Sequence, residues 1–114
     1  MPNDCLFCKI ATGTIPSRKA YEDELVLAFY DIAPAAPTHI LVIPKEHIPS
    51  AAALSEEHAA LLGRVFTVIG KLAEELGLND GFRVVSNVGE AAGQSVPHLH
   101  FHLLAGRALS WPPG

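Results

Sequence analysis

Three histidines in strict alternation with apolar residues, His98-Leu99-His100-Phe101-His102-Leu103-Leu104, constrain this chain more than any other segment. Successive side chains of an extended strand point to opposite faces. The pattern therefore predicts one strand with all three imidazoles on one side and Leu99, Phe101 and Leu103 on the other. Half of the six histidines fall in these five positions. Three readings fit such a row. It is the polar face of a half-buried strand. It is a metal site, since a His-x-His pair plus one more ligand suits catalytic zinc. Or it is a catalytic row in which imidazole serves as nucleophile and proton donor.

At 114 residues, the sequence predicts one domain over 1–114, large enough for a real core. Hydrophobic residues make up 49% and charged residues 18%, an apolar surplus that favours a homodimer in a chain this short. The formal net charge of −4 argues against nucleic acid or an anionic membrane as partner. No apolar run is long enough to span a bilayer and no signal-peptide pattern opens the sequence, so a cytoplasmic location is expected. The two cysteines form Cys5-Leu6-Phe7-Cys8, a spacing that in a cytoplasmic protein suits metal or redox chemistry rather than a structural disulfide.

Local patterns predict a short helix over 5–11 ended by Gly13 and Pro16, then strands over 20–21 and 25–30 around the Glu22-Asp23-Glu24 turn. Pro34 and Pro37 force an irregular loop before a buried strand over 39–44. A long helix is predicted over 55–76, with Ser55 as N-cap and Gly77 just past its end. Leu61, Leu62, Val65, Phe66, Ile69, Leu72 and Leu76 keep helical spacing and are expected to face a sheet. A strand over 82–87, a glycine-rich loop over 89–95 and a stiff Trp111-Pro112-Pro113-Gly114 tail complete the chain. This order predicts an α+β fold: an antiparallel sheet of about five strands, one long helix on its face and a short N-terminal helix.

Gly93-Gln94-Ser95 stands immediately before the histidine row. Small residues there let backbone N–H groups approach an anion, the Ser95 hydroxyl can donate to a phosphoryl oxygen, and Asn87 offers another neutral donor. No Lys or Arg lies in this stretch, so phosphate would be held by imidazolium, hydroxyl and backbone groups.

The run from Gly93 to Leu104 resembles the signature of the histidine triad (HIT) superfamily. Phe29-Tyr30-Asp31-Ile32, Ala36-Pro37-Thr38-His39, Val42-Ile43-Pro44-Lys45-Glu46-His47 and the Trp-Pro-Pro-Gly tail resemble its Hint-type branch. That resemblance implies a HIT-like fold and a homodimer that binds purine nucleotides. It also implies hydrolysis of nucleoside phosphoramidates to a nucleoside monophosphate and an amine, without a catalytic cofactor. His100 is implied as nucleophile, its second ring nitrogen held by the backbone carbonyl of His98. His102 would contact the phosphoryl oxygens or leaving group, with His39 relaying a proton and Ser95 steadying the leaving group. Asp31 resembles the carboxylate that binds both ribose hydroxyls, and Phe7, Ile10, Phe29, Ile32 and Leu41 resemble the residues around the base. The tail is expected to reach the neighbouring subunit's site.

Cys5-x-x-Cys8 is half of a zinc site, and His47 and His98 are available to complete it. Some bacterial members and the related uridylyltransferases resemble this arrangement, in which zinc is structural. Pro97 departs from the residue types usual before the first triad histidine and is expected to open the strand. The alternatives are a Fhit-like dinucleoside polyphosphate hydrolase, against which Ser95 and the tail stand, and a nucleotide-binding regulatory or scaffold dimer with incidental hydrolysis. A third is a metal-binding protein that uses the triad itself as ligands.

Overall fold

The computed structural model describes residues 4–114. Five strands, β1 (Lys19–Glu22), β2 (Val26–Tyr30), β3 (Thr38–Pro44), β4 (Phe82–Val85) and β5 (Phe101–Ala105), form one antiparallel sheet in the order β1-β2-β3-β5-β4. A long helix, α2 (Ala59–Glu75), covers one face, and a short one, α1 (Leu6–Ala11), packs on the other. The predicted α+β arrangement of sheet, long helix and short helix is the one the chain adopts.

Strand alternation divides the core in two. Val26, Ala28, Ile40, Val42, Phe101 and Leu103 pack with Val65, Val68, Ile69 and Leu72 of α2. Leu27, Phe29, Leu41 and Ile43 pack on the other face with Cys5, Phe7 and Ile10. β2 and β3 are therefore buried on both sides, which is why they read as continuous apolar runs. A helix of six residues is far below the length that stands alone in water, so α1 persists because Phe7 and Ile10 are anchored in the sheet.

Several boundaries differ from the sequence pattern. The histidine strand begins only at Phe101, so His102 is its sole histidine. Before it, the His98 N–H turns back to Val96 O at 2.8 Å and the Leu99 N–H reaches Ile48 O at 2.6 Å, which takes these residues out of the sheet ladder. Facing survives the loss of strand geometry, because Leu99 still joins Phe101 and Leu103 in the helix-side core. Pro97 accordingly lies in the bend before the strand and does not open it.

α2 starts at Ala59 rather than Ser55. The four residues before it close a 3₁₀ turn in which the Ser55 N–H donates to His58 Nδ1 at 3.0 Å. It ends as predicted at Gly77, whose φ of +67° lets Gly77 N–H reach Glu74 O and Leu78 N–H reach Ala73 O. Val68 takes the place in the buried stripe expected for Phe66, which is half exposed at its edge, and Leu76 is also partly exposed. β1 is longer than predicted, and β4 ends at Val85 rather than Asn87. Among the described residues, no helix is long and apolar enough to cross a membrane.

Candidate active site

The α1 side of the sheet carries the chemistry. Register pairs Leu41 with His102 and His39 with Leu104, so His39 and His102 are diagonal neighbours on one face of β3 and β5. Together with His100, Phe29, Asp31 and Leu41, His102 lines a cavity of about 320 Å³ closed by Phe7 and Ile10 of α1. Its volume lies at the lower end of small-molecule sites, and its walls are mostly apolar. Ile32 lines the mouth with its side chain fully exposed. Leu6, Ile15, Arg18 and Tyr30 also line it, with the Arg18 guanidinium 4.1 Å over the Tyr30 ring; residue patterning gave no sign of these.

Hydrogen bonds fix where the imidazole protons sit. His100 Nδ1 is 2.6 Å from the His98 carbonyl oxygen, which can only accept, so the proton is on Nδ1 and the Nε2 lone pair is free. His39 Nε2 stands 2.9 Å from His102 Nδ1 and 3.4 Å from Asp31 Oδ2. Asp31 Oδ1 accepts from the Ala33 N–H at 2.8 Å, which holds the carboxylate at the cavity rim. Burial, then the neighbouring His100 and His39, push the His102 pKa below the ordinary imidazole value, with Asp31 acting in the opposite sense. Phe7 stands edge-on to the His100 ring at 5.0 Å and to Phe29 at 5.5 Å. The Ser86 hydroxyl, not anticipated from sequence, donates to His100 O at 2.9 Å and holds that main chain in place.

The glycine-rich loop behaves differently from expectation. Ser95 lines the cavity, as does Val96, whereas Asn87, Gly93 and Gln94 do not. The Gly93 and Gln94 amides close the turn onto Glu90 O and Gly89 O, so they do not point at an anion. Gln94 instead braces the loop, donating to Pro49 O and Val96 O while accepting from the Gly89 N–H. Gly93 is in the left-handed region at φ +94°, which lets the chain turn toward Ser95.

Cys5, Cys8, His47 and His98 converge beside the cavity, their ligand atoms all within 4.8 Å of one another. Cys5 Sγ is 3.3 Å and Cys8 Sγ 3.5 Å from His98 Nδ1, and Cys8 Sγ is 3.2 Å from His47 Nδ1. A tetrahedral zinc with ordinary Zn–S and Zn–N bonds requires edges of about 3.6 Å, so this donor set fits the ion. His98 Nε2 donates to Pro44 O at 2.8 Å, which leaves its Nδ1 lone pair aimed at the thiols, as a metal-ligating histidine needs. Burial is the main cause holding the His98 pKa low, a shift that favours the neutral ring ligation requires.

Similarity to known proteins falls on the same residues. The HIT domain family matches residues 12–109, a stretch that includes Asp31, His39, Ser95 and all three triad histidines. This chain belongs to the HIT family. An uncharacterized HIT-like protein of Synechococcus elongatus is 51% identical over 114 residues, the whole of both chains. A 14 kDa zinc-binding protein of Zea mays is 50% identical over 96% of this chain and 87% of its own. Among solved structures, a HIT family hydrolase from Legionella pneumophila superposes with a TM-score of 0.96 at 48% identity, covering 97% of this chain and 100% of that one. A histidine triad protein from Clostridium difficile gives a TM-score of 0.92 at 49% identity, with 96% of each chain covered. Cys5, Cys8 and α1 lie before the stretch that the HIT domain matches.

Proposed function

We propose that this HIT protein is a purine nucleoside phosphoramidase, a hydrolase that cleaves the P–N bond of nucleoside 5′-phosphoramidates. The observation that carries this reading is the 2.6 Å bond from His100 Nδ1 to His98 O, which leaves a bare Nε2 in a cavity with an apolar end and a carboxylate at its rim. A neutral imidazole in that tautomer attacks phosphorus without a separate base. In the first step His100 Nε2 bonds to phosphorus, the P–N bond to the amine breaks, and the departing nitrogen takes a proton. Ser95 and His102 line the cavity and would supply that proton, with His39 behind His102, and the proton shed by the attacking water in the second step returns to the donor. Water then displaces His100 and releases the nucleoside monophosphate, so the sum is phosphoramidate plus water to monophosphate plus amine.

The base fits between Phe7, Ile10, Phe29 and Leu41, with Ile32 at the mouth, and Asp31 has lone pairs left for the two ribose hydroxyls. Cys5, Cys8, His47 and His98 would hold one structural zinc that ties α1 to the sheet; four protein ligands leave no open position, so the chemistry needs no catalytic cofactor. The protein works as a homodimer. The unpaired edge of β4 and the partly exposed Phe66 and Phe82 support this, and light scattering tests it. The Trp111 tail, largely exposed here, would then reach the partner's site. The net charge of −4 is in keeping with a cytoplasmic enzyme of small molecules rather than of nucleic acid or membranes.

Native mass spectrometry after brief mixing with an adenosine phosphoramidate tests the reading. A transient adenylyl adduct with AMP release in wild type, and neither in His100→Ala, is the expected result. Faster turnover of a diadenosine polyphosphate than of the phosphoramidate would instead assign the Fhit-like activity. Nucleotide binding without any turnover would leave a regulatory dimer.

A further inference from the structure

The His39–His102 pair is clamped at its far end by main chain. The Ala35 N–H donates to His39 Nδ1 at 2.9 Å, which requires that nitrogen to be bare. A neutral His39 then carries its proton on Nε2, the atom that faces His102 Nδ1 at 2.9 Å. With His102 Nδ1 accepting, the proton of His102 sits on Nε2. The reverse arrangement, in which His102 donates from Nδ1, would force His39 to accept on both nitrogens, as an imidazolate. We propose that the Ala35 amide locks His39 and His102 in one neutral arrangement, with His102 Nε2–H presented to the cavity as a fixed hydrogen-bond donor.

Ala35 is itself held from outside the cavity. Arg107, in the turn after β5, donates through Nη2 to Ala35 O and through Nη1 to Ala108 O, each at 3.0 Å. The same turn packs tightly on the Ala35 loop, since a Cβ on Gly106 would lie 2.7 Å from Pro37 Cβ. Arg107 is thus a positioning residue: it fixes one peptide group of Ala35 while the other faces His39. The charged and titratable groups around the pair pull in opposite directions. The His100 ring, 5.1 Å from that of His102, disfavours a cation there, whereas the Asp31 carboxylate, with Oδ2 3.4 Å from His39 Nε2, favours one. It is the hydrogen-bond geometry that selects the neutral arrangement.

The lock also separates two clusters of similar make-up. Asp31, His39 and His102 bring ligand atoms as close together as Cys5, Cys8, His47 and His98 do. A metal-ligating histidine donates its remaining N–H to an acceptor, as His98 does to Pro44 O. His39 does the opposite and accepts from an amide, which keeps a proton on the nitrogen a metal would need. The first cluster is arranged for a proton and the second for an ion.

The catalytic use of this donor, toward a phosphoryl oxygen or the leaving nitrogen, rests on the phosphoramidase reading, whereas the tautomers do not. They are read by ¹⁵N NMR of histidine-labelled, ligand-free, zinc-loaded protein at neutral pH. The expected result is both rings neutral with the proton on Nε2, and a through-hydrogen-bond coupling between the Ala35 amide and His39 Nδ1. A proton on His39 Nδ1, or either ring as a cation, overturns the proposal. Ala35→Pro removes the donor and is expected to let His39 populate both tautomers and to lower kcat/KM about tenfold. Arg107→Met, a milder change at a residue that does not line the cavity, is expected to move the same ¹⁵N signals less; unchanged tautomers in both variants overturn the lock. Failure of wild type to cleave a phosphoramidate sinks the phosphoramidase reading alone, because the NMR result does not depend on it.

Discussion

His98 reaches His100 with its main chain and the cysteine pair with its ring: its carbonyl oxygen accepts from His100 Nδ1 at 2.6 Å, while its own Nδ1 points at Cys5 and Cys8. One residue thus joins the candidate zinc site to the candidate nucleophile. Phe7, on the helix that Cys5 caps, reinforces the link by standing edge-on to both His98, at 6.0 Å, and His100.

Replacing the proposed nucleophile is expected to remove turnover and spare the fold. His100→Ala should lower kcat/KM by about 10³-fold or more, the scale seen when a covalent catalyst loses its attacking atom. Metal content and the unfolding midpoint should stay near wild type, since His100 is not among the four converging ligands. Metal loss in His100→Ala would show instead that the triad itself ligates.

Removing the ion should act mainly on substrate affinity. Chelation, or Cys5→Ala, is expected to abolish bound zinc by elemental analysis and to lower Tm by several degrees. Leu6, Phe7 and Ile10 of α1 form one wall of the cavity, so loosening that helix should raise KM more than it lowers kcat. An equal fall in kcat with KM unchanged would place the effect on His100 orientation alone.

Asp31 should read the ribose. Wild type is expected to prefer a ribonucleoside over its 2′,3′-dideoxy analogue by roughly 10–100-fold in kcat/KM, the value of one or two charge-assisted hydrogen bonds. Asp31→Ala should erase that preference and raise KM for the ribonucleotide, measured by initial rates on the paired substrates. Persistence of the preference in the variant would move ribose binding to another group.

Much of this was legible in the residues, and the failures share a cause. Alternation assigned Leu99, Phe101 and Leu103 to the core and the imidazoles to the opposite face, because side-chain facing persists where the ladder does not. The late start of β5 depends on Ile48 O capturing the Leu99 amide, a long-range contact without a local pattern. Cys5-x-x-Cys8 suggested half of a zinc site, and folding brings His47 and His98 beside the two thiols. Gly93 and Gln94 suggested an anion cradle, but their amides are consumed by their own turn, which composition does not reveal. Ala35 meets both His39 and Arg107 through its backbone groups, and backbone groups are the same for almost every residue.

Acid stability should depend on the β1–β2 turn. Burial works to raise the Asp23 pKa, but the Leu25 amide, the Tyr21 hydroxyl, the Val26 amide and the Arg64 guanidinium hold its carboxyl well below the usual range. These contacts tie the turn to α2, with Arg64 Nε 2.8 Å from Asp23 Oδ2 and its Nη2 on the Tyr21 hydroxyl. Beside it, Glu22 bonds Lys19 and Lys45 at 2.7 and 2.8 Å and is lowered to about 2. Both folded-state values lie below the unfolded ones of 3.8 and 4.5, so the native state binds fewer protons. Their contribution is complete above about pH 5 and is lost as pH falls through the folded values, at about 2 for Glu22 and lower still for Asp23. Asp23→Asn is expected to cost about 1 kcal/mol near neutrality, a modest figure because the turn is partly exposed to water, and progressively less below pH 4. Urea unfolding of both proteins across that range checks it: converging stabilities support the assignment, and a constant gap would show that the hydrogen bonds of Asp23 survive without its charge.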